Sequence, residues 1–197
     1  MAPKLISDAE FNRKLNDPAR NREHTLAFLD KGVKPFSLPG YVPPAGYRLL
    51  ISLDEKQCRL IKDDITAYVV KIVTGNFVVP GKEHCTQVMV WRTFLAEYQH
   101  ALNGLAQLFF AWLLETYDIV VSDKEQTGDG RRFWEYRITE AITNPRYEVM
   151  VWDGNKEENE LHVIASEAEF VSKWSPWAWG TDPEIHPHRL LVIARIK

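Results

Sequence analysis

The sequence predicts an α+β protein, a mixed and largely antiparallel sheet packed against one long buried helix and several shorter ones. Three observations carry this. Segments dense in β-branched and aromatic residues recur from Tyr47 to Val79, as strands prefer. One run, Phe94 to Thr116, holds its apolar residues at helical spacing and is apolar nearly all round in its second half. Beyond it the pattern alternates strand, helix, strand, helix, strand, the signature of a layered fold.

In chain order, residues 1–46 read as an N-terminal arm. Ser7 or Asp8 can cap a short helix through Leu15, and a charged stretch runs from Asn16 to Glu23. Lys34–Gly46 carries four prolines and two glycines, too many for regular structure. Residues 47–197 read as a single globular domain. Tyr47–Leu53 is a strand, and Asp54–Gln57 turns it into Cys58–Ile61. Thr66–Val73 is a further strand, although Cys58, Ile61, Ile65, Val69 and Ile72 also fit a helical period with Ser52 and Glu55 as its capping box.

Thr86–Trp91 is the next strand, and Thr93 caps the long helix. Ile119–Val121 precedes the turn Gln126-Thr-Gly-Asp-Gly130 and a helix from about Gly130 to Thr143, which Asn144-Pro145 ends. Tyr147–Trp152 and Leu161–Ile164 follow as strands, and Ser166-Glu-Ala-Glu169 opens a short helix to Trp174. After a Trp-rich loop, Arg189–Ile196 closes the chain as a strand.

With 197 residues, a net charge of −3 and 26% charged side chains, the chain lacks the broad basic surface that grips nucleic acid or an anionic membrane. Its longest apolar run, Leu105–Leu114, is about half a membrane span. Two cysteines, Cys58 and Cys85, supply no disulfide framework, so the expected setting is cytoplasmic.

A strand feeding a glycine turn and then a helix start brings backbone N–H groups and the positive helix end to one spot, suited to a phosphate. The strand at 119–121, the turn with Gln126, Gly128 and Gly130, the helix and the strand from Tyr147 resemble the acyl-CoA-binding core of the GNAT acetyltransferase superfamily over about residues 119–152. In that family a Gln/Arg-x-x-Gly-x-Gly/Ala turn binds the cofactor pyrophosphate, and its helix leads to a strand splayed from the first. The turn here is one residue shorter, and Asp129 puts a carboxylate in it that Arg131 and Arg132 can offset.

The resemblance implies acetyl-CoA or another acyl-CoA as cofactor, in an active N-acyltransferase or a diverged, inactive relative. Val121, Ser122, Gln126, Thr127, Gly128, Gly130 and Arg131 would bind the cofactor. Asp123 or Glu125 would take the amine proton through water. Without a ligand, Thr127 or Asp129 caps the helix and the glycines only permit the turn.

Trp174, Trp177 and Trp179 crowd a Pro/Gly-rich stretch that either packs on the core or meets a protein partner. Together with the Pro-rich arm they support the alternative of a non-enzymatic accessory protein, of the kind phages and mobile elements carry. His84-Cys-Thr86 matches one half of the paired His-x-Thr/Ser pattern of two-histidine phosphoesterases, but His162-Val-Ile164 lacks the hydroxyl of a second half. His186 and His188 share a face if extended; Asp182 or His162 would have to complete a metal site, and no clear spacing does so. No metal is expected.

Overall fold

The computed structural model describes residues 15–74, 85–121, 128–155, 160–180 and 189–196. They contain both helices and antiparallel and parallel strand pairs, as an α+β fold does. The described residues fall into two compact units, one of 15–73 and 88–112, the other of 74, 85–87 and everything from 113 onward. Part of the expected arm joins the first unit, and the stretch from Tyr47 contributes to both.

In the first unit, helix α1 (Pro18–Asp30) starts where Asp17 caps Ala19 and Arg20 and Pro18 presets the first turn. Sequence periodicity missed it because its apolar residues are few. Strands β1 (Val33–Pro35), β2 (Tyr47–Ser52), β3 (Gln57–Lys62) and β4 (Ile65–Thr74) form an antiparallel meander, with a register shift between Leu60 and Ile61. Over 58–73 the strand reading is the one adopted. Its β-branched residues stand on a sheet buried on both faces.

On one face α1 packs Phe28 against Leu50 and Ile61. Asn21 docks its amide on β4 as a strand would. Its Oδ1 accepts from Thr66 N at 2.8 Å, and its Nδ2 donates to Thr66 O at 3.0 Å. Aromatic stacking organises a second cluster, where Phe109 lies on Tyr68 at 5.7 Å and on Phe36 at 5.8 Å. Phe36 and the fully buried Leu38 thus tie the Pro-rich segment down.

The single helix expected from Phe94 is broken. A 3-10 turn at Ala96–Tyr98 leads into α2 (Gln99–Leu102), and α3 (Leu105–Leu114) follows. Asn103 is extended and Gly104 takes φ +70°, a left-handed conformation open to glycine, so the ladder stops and restarts.

The second unit holds the start of β5 (Cys85–Arg92), β6 (Asp118–Val121), α4 (Gly128–Thr143), β7 (Tyr147–Asp153), β8 (His162–Val163) and β9 (Arg189–Arg195). The final strand β9 lies between β6 and β7, antiparallel to both, and β8 forms an edge beside β7. Strands β6 and β7 are therefore parallel to each other without touching. Val120, Met150, Leu190, Val192 and Ala194 pack with Cys85 into the core of this sheet.

Candidate functional site

The β6–α4–β7 succession matches the expected strand, helix, strand. Whether β6 and β7 part to admit a cofactor is answered by β9. It pairs with β6 at Ile119↔Ile193, Val120↔Val192 and Val121↔Leu191, and with β7 over all seven residues from Tyr147↔Arg195 to Asp153↔Arg189. The space between them is filled by a bonded strand, so the expected splay is not there.

The other edge of β6 differs. There β5 runs parallel to it, paired at Cys85↔Asp118 and Thr86↔Ile119.

Val121 ends β6, and α4 begins at Gly128, two residues before the expected start. Of the expected site residues, Ser122, Asp123, Glu125, Gln126 and Thr127 lie outside the described residues, as does the side chain of Asp129. Gly128 and Gly130 stand in the first turn of α4. Arg131, also there, gives its Nε to Glu135 Oε1 at 2.9 Å, and the same oxygen accepts from Ser175 Oγ at 2.9 Å. The Arg131 guanidinium lies 5.9 Å from the centre of the Trp179 ring.

Trp174 and Trp177 sit on a helical segment rather than a loop, and Trp179 follows its end. That segment runs through α5 (Glu167–Glu169), a π turn (Phe170–Trp174) and α6 (Ser175–Ala178). Pro176 explains the π turn. Its ring would clash with the carbonyl four residues back, and the wider turn, closed by Ser175 N donating to Phe170 O, opens that register. The capping box read from sequence is present, with Glu169 N donating to Ser166 Oγ at 3.1 Å.

Glu169 organises the cluster. It accepts from Ala165 N and Trp174 Nε1, each at 2.9 Å, with His162 Nε2 at 3.2 Å. These contacts, the backbone one foremost, hold its carboxyl down at about 2. Trp174 meets Trp177 edge-on at 5.4 Å, and Arg189 covers the Trp177 ring at 4.9 Å while donating to Trp177 O. Trp179 is buried and Trp174 and Trp177 are half-buried, so all three expected partner residues are engaged in internal contacts.

Burial pushes the Cys58 thiol up to about 12, which removes it as a nucleophile at neutral pH. His162 points to Glu169 rather than to a metal-ligand set, and no cluster of three potential ligands occurs among the described residues. His84, Asp182, His186 and His188 fall outside them. What sequence reasoning could not reach was the place of β9, because strand order leaves no periodic trace. No family model matches the chain, and comparison with curated proteins and with solved structures finds no similar chain.

Proposed function

We propose that the protein binds an acyl-CoA as a diverged relative of the GNAT acetyltransferases. The observation that carries the reading is the succession in which β6 ends at Val121, a 16-residue helix opens with Gly128, Gly130 and Arg131 in its first turn, and β7 follows. An extended ligand with alternating amide N–H and C=O groups can pair with the end of a strand as another strand would. The pantetheine arm of CoA has that chemistry. The first turn of α4, with Gly128, Gly130 and Arg131, follows the same end of β6, where α/β sheets receive ligands.

In an active enzyme the acyl carbon would pass directly from the CoA sulfur to an amine. The thiolate would leave, and the amine proton would go through water to a carboxylate such as Asp123 or Glu125, which follow Val121 in sequence.

Thermal unfolding with 1 mM acetyl-CoA tests the reading. A dissociation constant near 10 μM stabilises the native state by about 2.7 kcal/mol. For a chain of this size that raises the melting temperature by roughly 5–10 °C. Acetyl-pantetheine, which lacks the phosphates, isolates the strand edge. A flat response to both compounds refutes the reading.

A second reading, a partner-binding protein without catalysis, is favoured by Val42. It is 86% exposed beside Pro43 and Pro44, while Phe36, Leu38 and Tyr41 anchor the preceding residues. Val42→Ser would then spare folding and weaken partner capture.

A further inference from the structure

We propose that Trp179 is a ligand-binding residue, whose indole N–H works with the Arg131 guanidinium at the start of α4 to hold a phosphate-type anion. Trp179 is 6% exposed, yet its Nε1 is buried and finds no acceptor among the described residues. A buried donor left without an acceptor costs about 1–3 kcal/mol. Such groups persist where a ligand, an ion or a water completes them.

The surroundings indicate which. Arg131 lies over the same ring and stands in the first turn of a 16-residue helix, whose positive end favours anions. Glu135 occupies Arg131 Nε, and neither terminal guanidinium nitrogen has a hydrogen bond among the described residues. A tetrahedral oxyanion can then accept from Trp179 Nε1 and from an Arg131 Nη. The Glu135 carboxylate beside it weakens the site, and Ser175 Oγ draws off part of that carboxylate's acceptor strength. Sequence reading placed Trp179 among partner contacts, and the orphaned N–H reassigns it.

The ligand identity rests on the acyl-CoA reading, whereas the anion site stands on its own contacts. Melting is therefore followed with sodium phosphate, sodium pyrophosphate, CoA and acetyl-pantetheine, on wild type, Trp179→Phe, Arg131→Gln and Glu135→Gln. Wild type is expected to be stabilised by pyrophosphate and more by CoA. Trp179→Phe and Arg131→Gln should each lose at least fivefold in affinity for both, with no change towards acetyl-pantetheine. Glu135→Gln should bind pyrophosphate more tightly. Response to phosphate and pyrophosphate without any gain from CoA would keep the anion site and count against CoA as its ligand.

No pyrophosphate effect on wild type overturns the proposal, leaving a water at Nε1. An effect that Trp179→Phe and Arg131→Gln both retain overturns it equally. If Trp179→Phe does not fold, Arg131→Gln decides alone, since Arg131 is partly exposed. Loss of acetyl-pantetheine binding with pyrophosphate binding intact would fall on the strand-edge reading instead.

Discussion

Replacing Arg59 by methionine should leave the protein about as stable as before, although Arg59 is buried and makes two hydrogen bonds. Its guanidinium has no ion pair among the described residues, and burial alone pushes it down from 12.5 to about 10. At about 1.4 kcal/mol per tenfold, that is a penalty of roughly 3 kcal/mol on the charged form in the folded state. A cation with a depressed value is destabilising wherever it is charged. The penalty is therefore complete below about pH 10 and shrinks only as pH rises toward 12.5.

Against it stand the bonds from Nη1 to His24 O at 3.1 Å and to Thr66 Oγ1 at 3.2 Å, and the Phe28 ring 4.6 Å beneath the guanidinium. Two charged hydrogen bonds at about 1.5–3 kcal/mol each and a desolvated cation–π contact of about 2 kcal/mol come to about 5–8 kcal/mol. The buried Nε has no acceptor among the described residues, which adds about 1–3 kcal/mol to the penalty and brings it to about 4–6 kcal/mol, so the two sides nearly offset. Methionine keeps the unbranched stem and removes both sides of the balance, and Thr66 Oγ1 retains its 2.7 Å bond to Thr25 Oγ1. Urea denaturation at pH 7 should place Arg59→Met within about 1 kcal/mol of wild type. Arg59→Ala, which leaves a cavity, should lose about 2–4 kcal/mol. A loss of 3 kcal/mol or more for Arg59→Met would refute the reasoning, since it would require a compensating anion at Nε.

Other outcomes follow from local geometry. Asp63 and Asp64 form the two-residue turn between β3 and β4 with φ of 48° and 61°. Asp64→Val should therefore cost about 1–2 kcal/mol in thermal unfolding, and Asp64→Gly should be neutral or slightly stabilising. Gly32 has φ +87°, and a Cβ there would stand 2.8 Å from Leu53 Cδ1. Gly32→Ala should lose about 1–2 kcal/mol, partly recovered by Leu53→Ala. Glu169, held near 2 against an ordinary 4.5, supports folding fully above pH 4.5 and loses that support as pH falls toward 2. The melting advantage of wild type over Glu169→Gln should fade across that window, and an advantage indifferent to pH would contradict the assignment.

Where local chemistry decides an element, the sequence was sufficient. Thr66 to Val73 is a strand because its β-branched residues lie on a sheet buried on both faces, and the Ser166–Glu169 capping box is present as read. Helix α1 escaped detection because docking through Asn21 and Thr25, polar residues hidden against β4, replaces the apolar stripe that periodicity seeks. The long helix was overextended because Asn103-Gly104, an ordinary break signal, was outweighed by apolar spacing on either side.

Of the candidate region, the helix after the glycines was legible in the sequence and the strand order was not. A helix start is local and can be read directly. Which strands lie beside β6 depends on the last residues of the chain, for Leu190–Ala194 must return to pair with both Ile119–Val121 and Tyr147–Trp152. Once β9 occupies that side, the proposed ligand is left with the β5-facing side of β6, near its end at Val121. Insertion there would leave the β9 ladder untouched. Binding at the original position would have to strip three residue pairs from β6, Ile119↔Ile193 to Val121↔Leu191, from the buried centre of the sheet. Amide exchange distinguishes the two positions. On adding acetyl-CoA, the amides of 191–193 should keep their protection while that of Val121 gains it. Loss of protection at 191–193 would place the ligand where β9 now lies.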